Sequence, residues 1–177
     1  MSAIALTPSQ VFASNLDVRI GNKTAAINLN VAPKGSKVNV DLGYLYREED
    51  INVGTLGLHA VGQTVLANLP ATAGLGLELT AFDAGPADGA GVGLGGFLKL
   101  NIPAVAGLSV EGAAHYSPSI TTFGDSDSIR HFKAQVNYRL IPNADVFTGY
   151  HYQNVSIENS PSTSLDASFF IGMSLRF

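Results

Sequence analysis

Period-two alternation, kept up in segment after segment, is the feature that most constrains this chain. Successive side chains of a strand point to opposite faces, so residues i, i+2 and i+4 share a side. Near the carboxyl end Leu165, Ala167, Phe169, Ile171, Met173, Leu175 and Phe177 share one side, and Asp166, Ser168, Phe170, Gly172, Ser174 and Arg176 the other. Earlier, Phe132, Ala134, Val136, Tyr138 and Leu140 oppose His131, Lys133, Gln135, Asn137 and Arg139. Earlier still, Val38, Val40, Leu42, Tyr44 and Tyr46 oppose Lys37, Asn39, Asp41, Gly43 and Leu45. Ten such segments read as strands: 16–21, 24–32, 36–47, 51–63, 72–83, 91–102, 108–117, 129–140, 144–157 and 165–177. Most reach ten residues or more, where an ordinary strand averages about 5–6 and a tilted membrane-crossing strand needs about 9–11. The alternation changes phase near Thr55 and again near Asn154, and a bulge is expected at both.

Only 14% of the residues are charged, against about 25% in a typical soluble domain. No stretch approaches the ~20 apolar residues of a spanning helix. Low charge without a helical span leaves a dry sandwich or a barrel. The connections favour a barrel crossing a membrane. One set ("APKGS", "VLANLPA", "NIPAVAGL", "IPNA") is short to moderate and flanked by apolar residues. The alternate set ("REED", "DAGPADGA", "SITTFGDSDS", "NSPSTS") is polar, acidic and mostly longer, with the tight "GNK" as an exception. Short turns on one side and long loops on the other are the pattern of outer-membrane barrels. The expected fold is therefore all-β: a closed antiparallel up-and-down transmembrane barrel of ten strands, or eight if the short first hairpin is not part of the wall.

A soluble ligand-binding barrel would turn the apolar face inward. Three features point the other way. The polar face is rich in glycine (Gly43, Gly57, Gly74, Gly76, Gly93, Gly95, Gly149, Gly172), which weakens an exposed strand but makes room in a narrow interior. Its charges balance, with Asp17, Asp41, Glu78, Glu111, Asp145 and Asp166 against Arg19, Lys37, Lys99, Lys133, Arg139 and Arg176. Aromatic residues of the apolar face gather at strand ends: Tyr44, Tyr46, Tyr116, Phe132, Tyr150, Tyr152 and Phe169 toward the loops, Tyr138 and Phe177 toward the turns. The apolar face is read as free of charge, as lipid requires, since an Arg or Lys at the midplane costs roughly 2–4 kcal/mol. The twelve charged residues are expected to form a paired network in a largely plugged lumen, with Phe82, Phe97, Phe147 and Phe170 pointing in beside it. Isolated buried charge is very costly.

All four histidines (His59, His115, His131, His151) fall on the inward face. His115, His131 and His151 lie on consecutive strands and are candidates for meeting near the loop-side rim. No spacing marks a ligand set, so no metal or cofactor is expected; lumen imidazoles bonded to carboxylates are the plainer reading. His115, Ser117 and Glu111 share a strand face and sketch a hydrolase constellation at the rim, but no oxyanion donor accompanies them, and an enzyme is not expected. Gly91, Gly93 and Gly96 match G-x-G-x-x-G without the helix that would hold a phosphate. The "DSDS" at 125–128 reads as a solvated loop. The net charge of −4 argues against nucleic acid, and the absence of cysteine excludes disulfides. Residues 1–13, "MSAIALTPSQVFA", read as the remnant of a signal peptide, with small or aliphatic residues before Ser14, leaving 14–177 as the barrel.

From Asn101 to Tyr152, "IPAVAGL", "YSPS", "FGDSDS" and "YRLIPNADVFTGY" are carried by a stretch that resembles the YfaZ family of small Gram-negative outer-membrane proteins, and the likeness continues more loosely from Leu16 to Phe177. The resemblance implies an outer-membrane β-barrel with no established activity. It also implies that Phe177, with Leu175 and Met173 behind it, is similar to the signal read by barrel-assembly machinery. The partners expected are membrane lipid, lipopolysaccharide and that machinery, around a monomer of structural or narrow-conduit role.

Overall fold

Backbone pairing turns the alternating segments into a wall without edges. The computed structural model describes residues 12–33, 36–48, 50–85, 87–157 and 163–177. Its strands are β1 (Phe12–Gly21), β2 (Thr24–Pro33), β3 (Val38–Arg47), β4 (Ile51–Leu66), β5 (Leu69–Asp83), β6 (Asp88–Asn101), β7 (Leu108–Ser117), β8 (Thr122–Gly124), β9 (Ser126–Ile141), β10 (Ala144–Ile157) and β11 (Thr163–Arg176). Neighbours run in the order β5-β4-β3-β2-β1-β11-β10-β9-β7-β6, and β5 pairs with β6, so ten strands close on themselves. Closure matters because an unpaired backbone group in hydrocarbon costs several kcal/mol. The seam is β1 on β11, from Asn15↔Arg176 to Gly21↔Phe170. The eight-strand alternative fails here: β1 and β2 are ten residues each, and β1 is the strand that closes the ring. The three-residue β8 lies outside the cycle, stitched to the start of β6. It follows a 3-10 turn, Ser119–Thr121, so part of "SITTFGDSDS" is ordered structure lying on the wall rather than loop. "DSDS" itself leads into β9 with Ser126 and Ser128 buried.

The turns follow local chemistry. Ala67 and Asn68 both take positive φ (50° and 62°) in the two-residue connection between β4 and β5, the backbone sense that matches the twist of a hairpin. On the leader reading, residues 1–11 lie outside the described residues, and the backbone of Phe12 and Ala13 already pairs with Pro33 and Ala32.

The outer wall is apolar as expected. Leu75, Leu94 and Ile171 are 75%, 70% and 67% exposed, which no water-soluble surface sustains as a continuous band. Tyr44, Tyr46, Tyr116, Phe132 and Phe169 are exposed toward the loop end, and Tyr138 and Phe177 toward the turn end. One correction applies: Arg130 is exposed on the same face as Phe132, so the outer face is not free of charge. It sits at the loop end, opposite Tyr116 of β7, where a long side chain reaches the interface instead of the midplane.

The two phase changes have different origins. Near Thr55 there is no bulge: β4 pairs with β3 and β5 in unbroken register. The change is chemical. Ile51 and Val53 point inward and are buried, while Leu56 and Leu58 point outward. Near Asn154 a bulge does exist, between Gln153 and Asn154, with Gln153 facing Asp166 and Asn154 facing Ser164. The extra residue is Leu165. It turns inward and is fully buried, correcting its assignment to the lipid face. The backbone carbonyls freed at the bulge accept from Arg47, whose Nη1 lies 2.9 Å from Ser164 O and 3.2 Å from Leu165 O.

Candidate functional site

The lumen is built in three levels. At the loop end Ala26, Leu45, Ile51, Val53, Phe82, Ile129, Val155 and Leu165 form one buried apolar cluster, rimmed by the buried hydroxyls of Thr24, Ser117, Ser126 and Ser128 and by Arg47 on the Ser164 and Leu165 carbonyls. It caps the barrel. At the turn end a cavity of about 670 Å³ opens past Ser36, Asn143, Arg176 and Phe177 and reaches inward to Leu45 and Val53 on the underside of the cap.

Along the cavity, below the cap, runs a chain of imidazoles and carboxylates. Nδ1 of His59 lies 3.0 Å from Asp41 Oδ2, and its Nε2 lies 2.8 Å from Nε2 of His115. His115 Nδ1 faces Glu78 Oε2 at 3.6 Å, beyond hydrogen-bond range, and though buried has no partner among the described residues. Glu78 Oε1 is 2.7 Å from His131 Nδ1. His131 Nε2 is 3.0 Å from His151 Nε2, and His151 Nδ1 is 2.7 Å from Asp166 Oδ2. Ser168 donates to Asp166 Oδ1 at 2.6 Å. All four histidines of the chain thus lie in one line across the barrel interior.

Glycine makes the line possible. His59 sits opposite Gly76 and His115 opposite Gly95. A Cβ at Gly76 would lie 2.7 Å from the His59 Cα, and one at Gly95 would lie 2.6 Å from His115 Cα. Phe97 over Gly74 and Phe147 over Gly172 repeat the device lower in the barrel.

The family model described as YfaZ precursor matches residues 1–177. The chain belongs to the YfaZ family. With its closed wall and apolar outer face, this YfaZ-family chain is a β-barrel protein of the bacterial outer membrane. Comparison with curated proteins returns no match. Among solved structures it is similar to the KdgM porin in complex with disordered oligogalacturonate, at 9% identity and TM-score 0.49, covering 93% of this chain and 99% of that one. It is also similar to the outer membrane channel DcaP of Acinetobacter baumannii, at 9% identity and TM-score 0.44, covering 91% of this chain and 54% of that one. These are likenesses of architecture.

The YfaZ-family barrel brings only part of the expected charge network together. Lys133 Nζ pairs with Glu111 Oε1 at 3.1 Å, and Lys99 faces Glu111 across the β6–β7 ladder. Asp145 takes Arg176, and Arg139 at 3.6 Å, although the Arg139 side chain is 53% exposed at the turn end. Asp17 accepts from Asn15 at 3.2 Å. Arg19 stacks over the Phe170 ring, 5.2 Å from its centroid. Asp41, Glu78 and Asp166 each have a histidine as a close partner, and Asp41 also accepts from Asn30. Lys37 is exposed before β3 at the turn-side mouth. Phe82, Phe147 and Phe170 are buried as expected, and Phe97 lines the cavity.

His115 and His131 do meet, as direct cross-strand partners with rings stacked 5.7 Å apart. They lie beneath the apolar cap and not at the outer rim, which corrects that placement. The hydrolase sketch does not assemble: the ring nitrogens of His115 face His59 and Glu78, and Glu111 is held by Lys133. Two features went unread in the sequence. His59, on β4 and three strands before His115 in chain order, joins the line because register places it level with His115. The cap was legible only as Ile51, Val53 and Val155 breaking the alternation, which a bulge would also produce.

Proposed function

We propose that this is an outer-membrane barrel closed in its resting state, a turn-side vestibule with a structural or gated narrow-conduit role and no catalytic activity. One observation carries the reading: an apolar cluster fills the loop end of the same lumen whose turn end opens into a cavity of about 670 Å³. Ions do not cross a packed apolar layer, because removing their hydration without compensation is prohibitive. Ten strands also stand near the filled end of the barrel series, where eight-stranded interiors are occupied by side chains and sixteen or more leave a channel. The glycine-seated rings and the Lys133–Glu111 pair narrow what remains.

Planar-bilayer recording of the refolded chain tests this. Wild-type protein is expected to be silent or to show brief small steps. The double variant Val53→Ser, Val155→Ser, which places hydroxyls in the cap, is expected to conduct more often and for longer. A steady, porin-sized conductance from the wild type would overturn the closed resting state.

A further inference from the structure

Counting protons along the imidazole line exposes a deficit. Each neutral imidazole carries one N–H and one lone pair. His59 places Nδ1 against Asp41, and His151 places Nδ1 against Asp166. A carboxylate accepts, so both rings hold their proton on Nδ1 and offer a lone pair at Nε2. His115 Nε2 and His131 Nε2 face those lone pairs at 2.8 and 3.0 Å. Both must therefore carry N–H at Nε2. That leaves bare lone pairs at Nδ1 of His115 and Nδ1 of His131, and both are aimed at the Glu78 carboxylate. One of them, His115 Nδ1, has no hydrogen-bond partner among the described residues, on a residue only 8% exposed.

Three electron-rich groups thus converge. One extra proton, on Glu78 or on His131, would join those two groups at 2.7 Å but leave His115 Nδ1 without a partner, and a second would put net positive charge among buried rings stacked 5.7 Å apart, which desolvation disfavours. We propose instead that Glu78, His115 Nδ1 and His131 Nδ1 bind one first-row divalent transition-metal ion of the zinc class. Their ligand atoms all lie within 4.8 Å of one another, with Glu78 at 2.7 Å from one imidazole nitrogen and 3.6 Å from the other. Bonds of ~2.0–2.1 Å at tetrahedral angles put ligand atoms about 3.3 Å apart, so small side-chain shifts complete the set. Two neutral imidazoles and one carboxylate suit such an ion.

The rest of the line then becomes the support such a site needs. A metal-bound imidazole typically donates its other N–H to an acceptor that fixes its tautomer. Here His115 donates to His59, which donates to Asp41, and His131 donates to His151, which donates to Asp166. The two halves are alike, and every ring nitrogen is used. The site goes beyond the proposed vestibule and stands whether or not the lumen conducts.

The test uses the untagged full chain, refolded in detergent micelles and stripped with EDTA. Calorimetric titration with Zn²⁺ is expected to show one ion per chain. His131→Ala and Glu78→Gln are each expected to weaken binding by more than a hundredfold. His59→Leu and His151→Leu, which remove the supporting acceptor, are expected to weaken it about 10–100-fold. Heat-modifiable gel mobility checks that each variant has folded. The wild type loaded with Co²⁺ gives a second readout that needs no variant: an intense visible band of a four-coordinate ion is expected. A chain that takes up no Zn²⁺, a His115→Ala/His131→Ala double variant that binds as tightly as wild type, or a Co²⁺ spectrum like the aqueous ion would each overturn the proposal.

Discussion

Phe169 and Phe170 are adjacent, and the structure puts them in different solvents. Phe169 is 77% exposed on the outer wall, where its ring packs on Tyr150 at 5.1 Å. Phe170 is 4% exposed inside, edge-on to Phe147 at 5.9 Å and beneath Arg19. The chain contains no tryptophan, so a single Trp is a reporter without background. Phe169→Trp enlarges a ring that faces lipid apart from its contact with Tyr150, and its effect on stability should stay within about 0.5 kcal/mol. Phe170→Trp forces a larger ring into a packed interior, which costs about 1–3 kcal/mol, roughly a 5- to 150-fold shift of the folding equilibrium. Both variants are refolded into vesicles with and without brominated acyl chains, and stability is read from urea titration of the same samples. Bromine quenches an indole that touches it. Phe169→Trp is expected to lose most of its emission in brominated lipid, and Phe170→Trp to keep nearly all of it. Equal quenching of the two, or quenching of Phe170→Trp alone, would refute the assignment of faces on which the lumen, the cap and the histidine line all depend.

Two further outcomes follow from the interior. Lys133→Met leaves Glu111 without its 3.1 Å partner; because both side chains keep some solvent contact, the loss should be on the order of 2 kcal/mol, below the roughly 3–5 kcal/mol of a fully buried pair. Adding Glu111→Met should restore most of it in the same urea titration. Gly172→Ala drives a Cβ against the ring edge of Phe147, closer than any real Cβ contact, whereas Gly54→Ala meets nothing within 4 Å. Folded yield by gel mobility should therefore drop for the first and stay at wild-type level for the second.

The wall was legible residue by residue because the face a strand residue occupies is a local property. Ten segments of the right length, glycine and charge on one side and apolar residues on the other, state a closed barrel in lipid before any pairing is known. The segment boundaries moved by only a few residues: the sixth, read as 91–102, is Asp88–Asn101, and the last, read as 165–177, is Thr163–Arg176. Where reading failed, one local signal had two causes. A break in alternation marks either an inserted residue or a change in what the inner face is made of. Leu165 is the first kind; Ile51 and Val53 are the second. Arg130 was missed for a related reason, since alternation names a face but not the depth at which a charge becomes affordable.

What the order of residues determined is therefore the cylinder, its sidedness and its home in a membrane, all set by neighbours two positions apart. What the tertiary structure alone decided is level. Closing ten tilted strands in one register brings His59 of β4 beside His115 of β7, and Glu78 of β5 beside His131 of β9. It also gathers isolated inward aliphatics from six strands into one cap. Those meetings span the lumen, at sequence separations of 56 and 53 residues for the two side-chain pairs. No periodicity encodes them, because the distance across a barrel depends on the shear of the whole sheet.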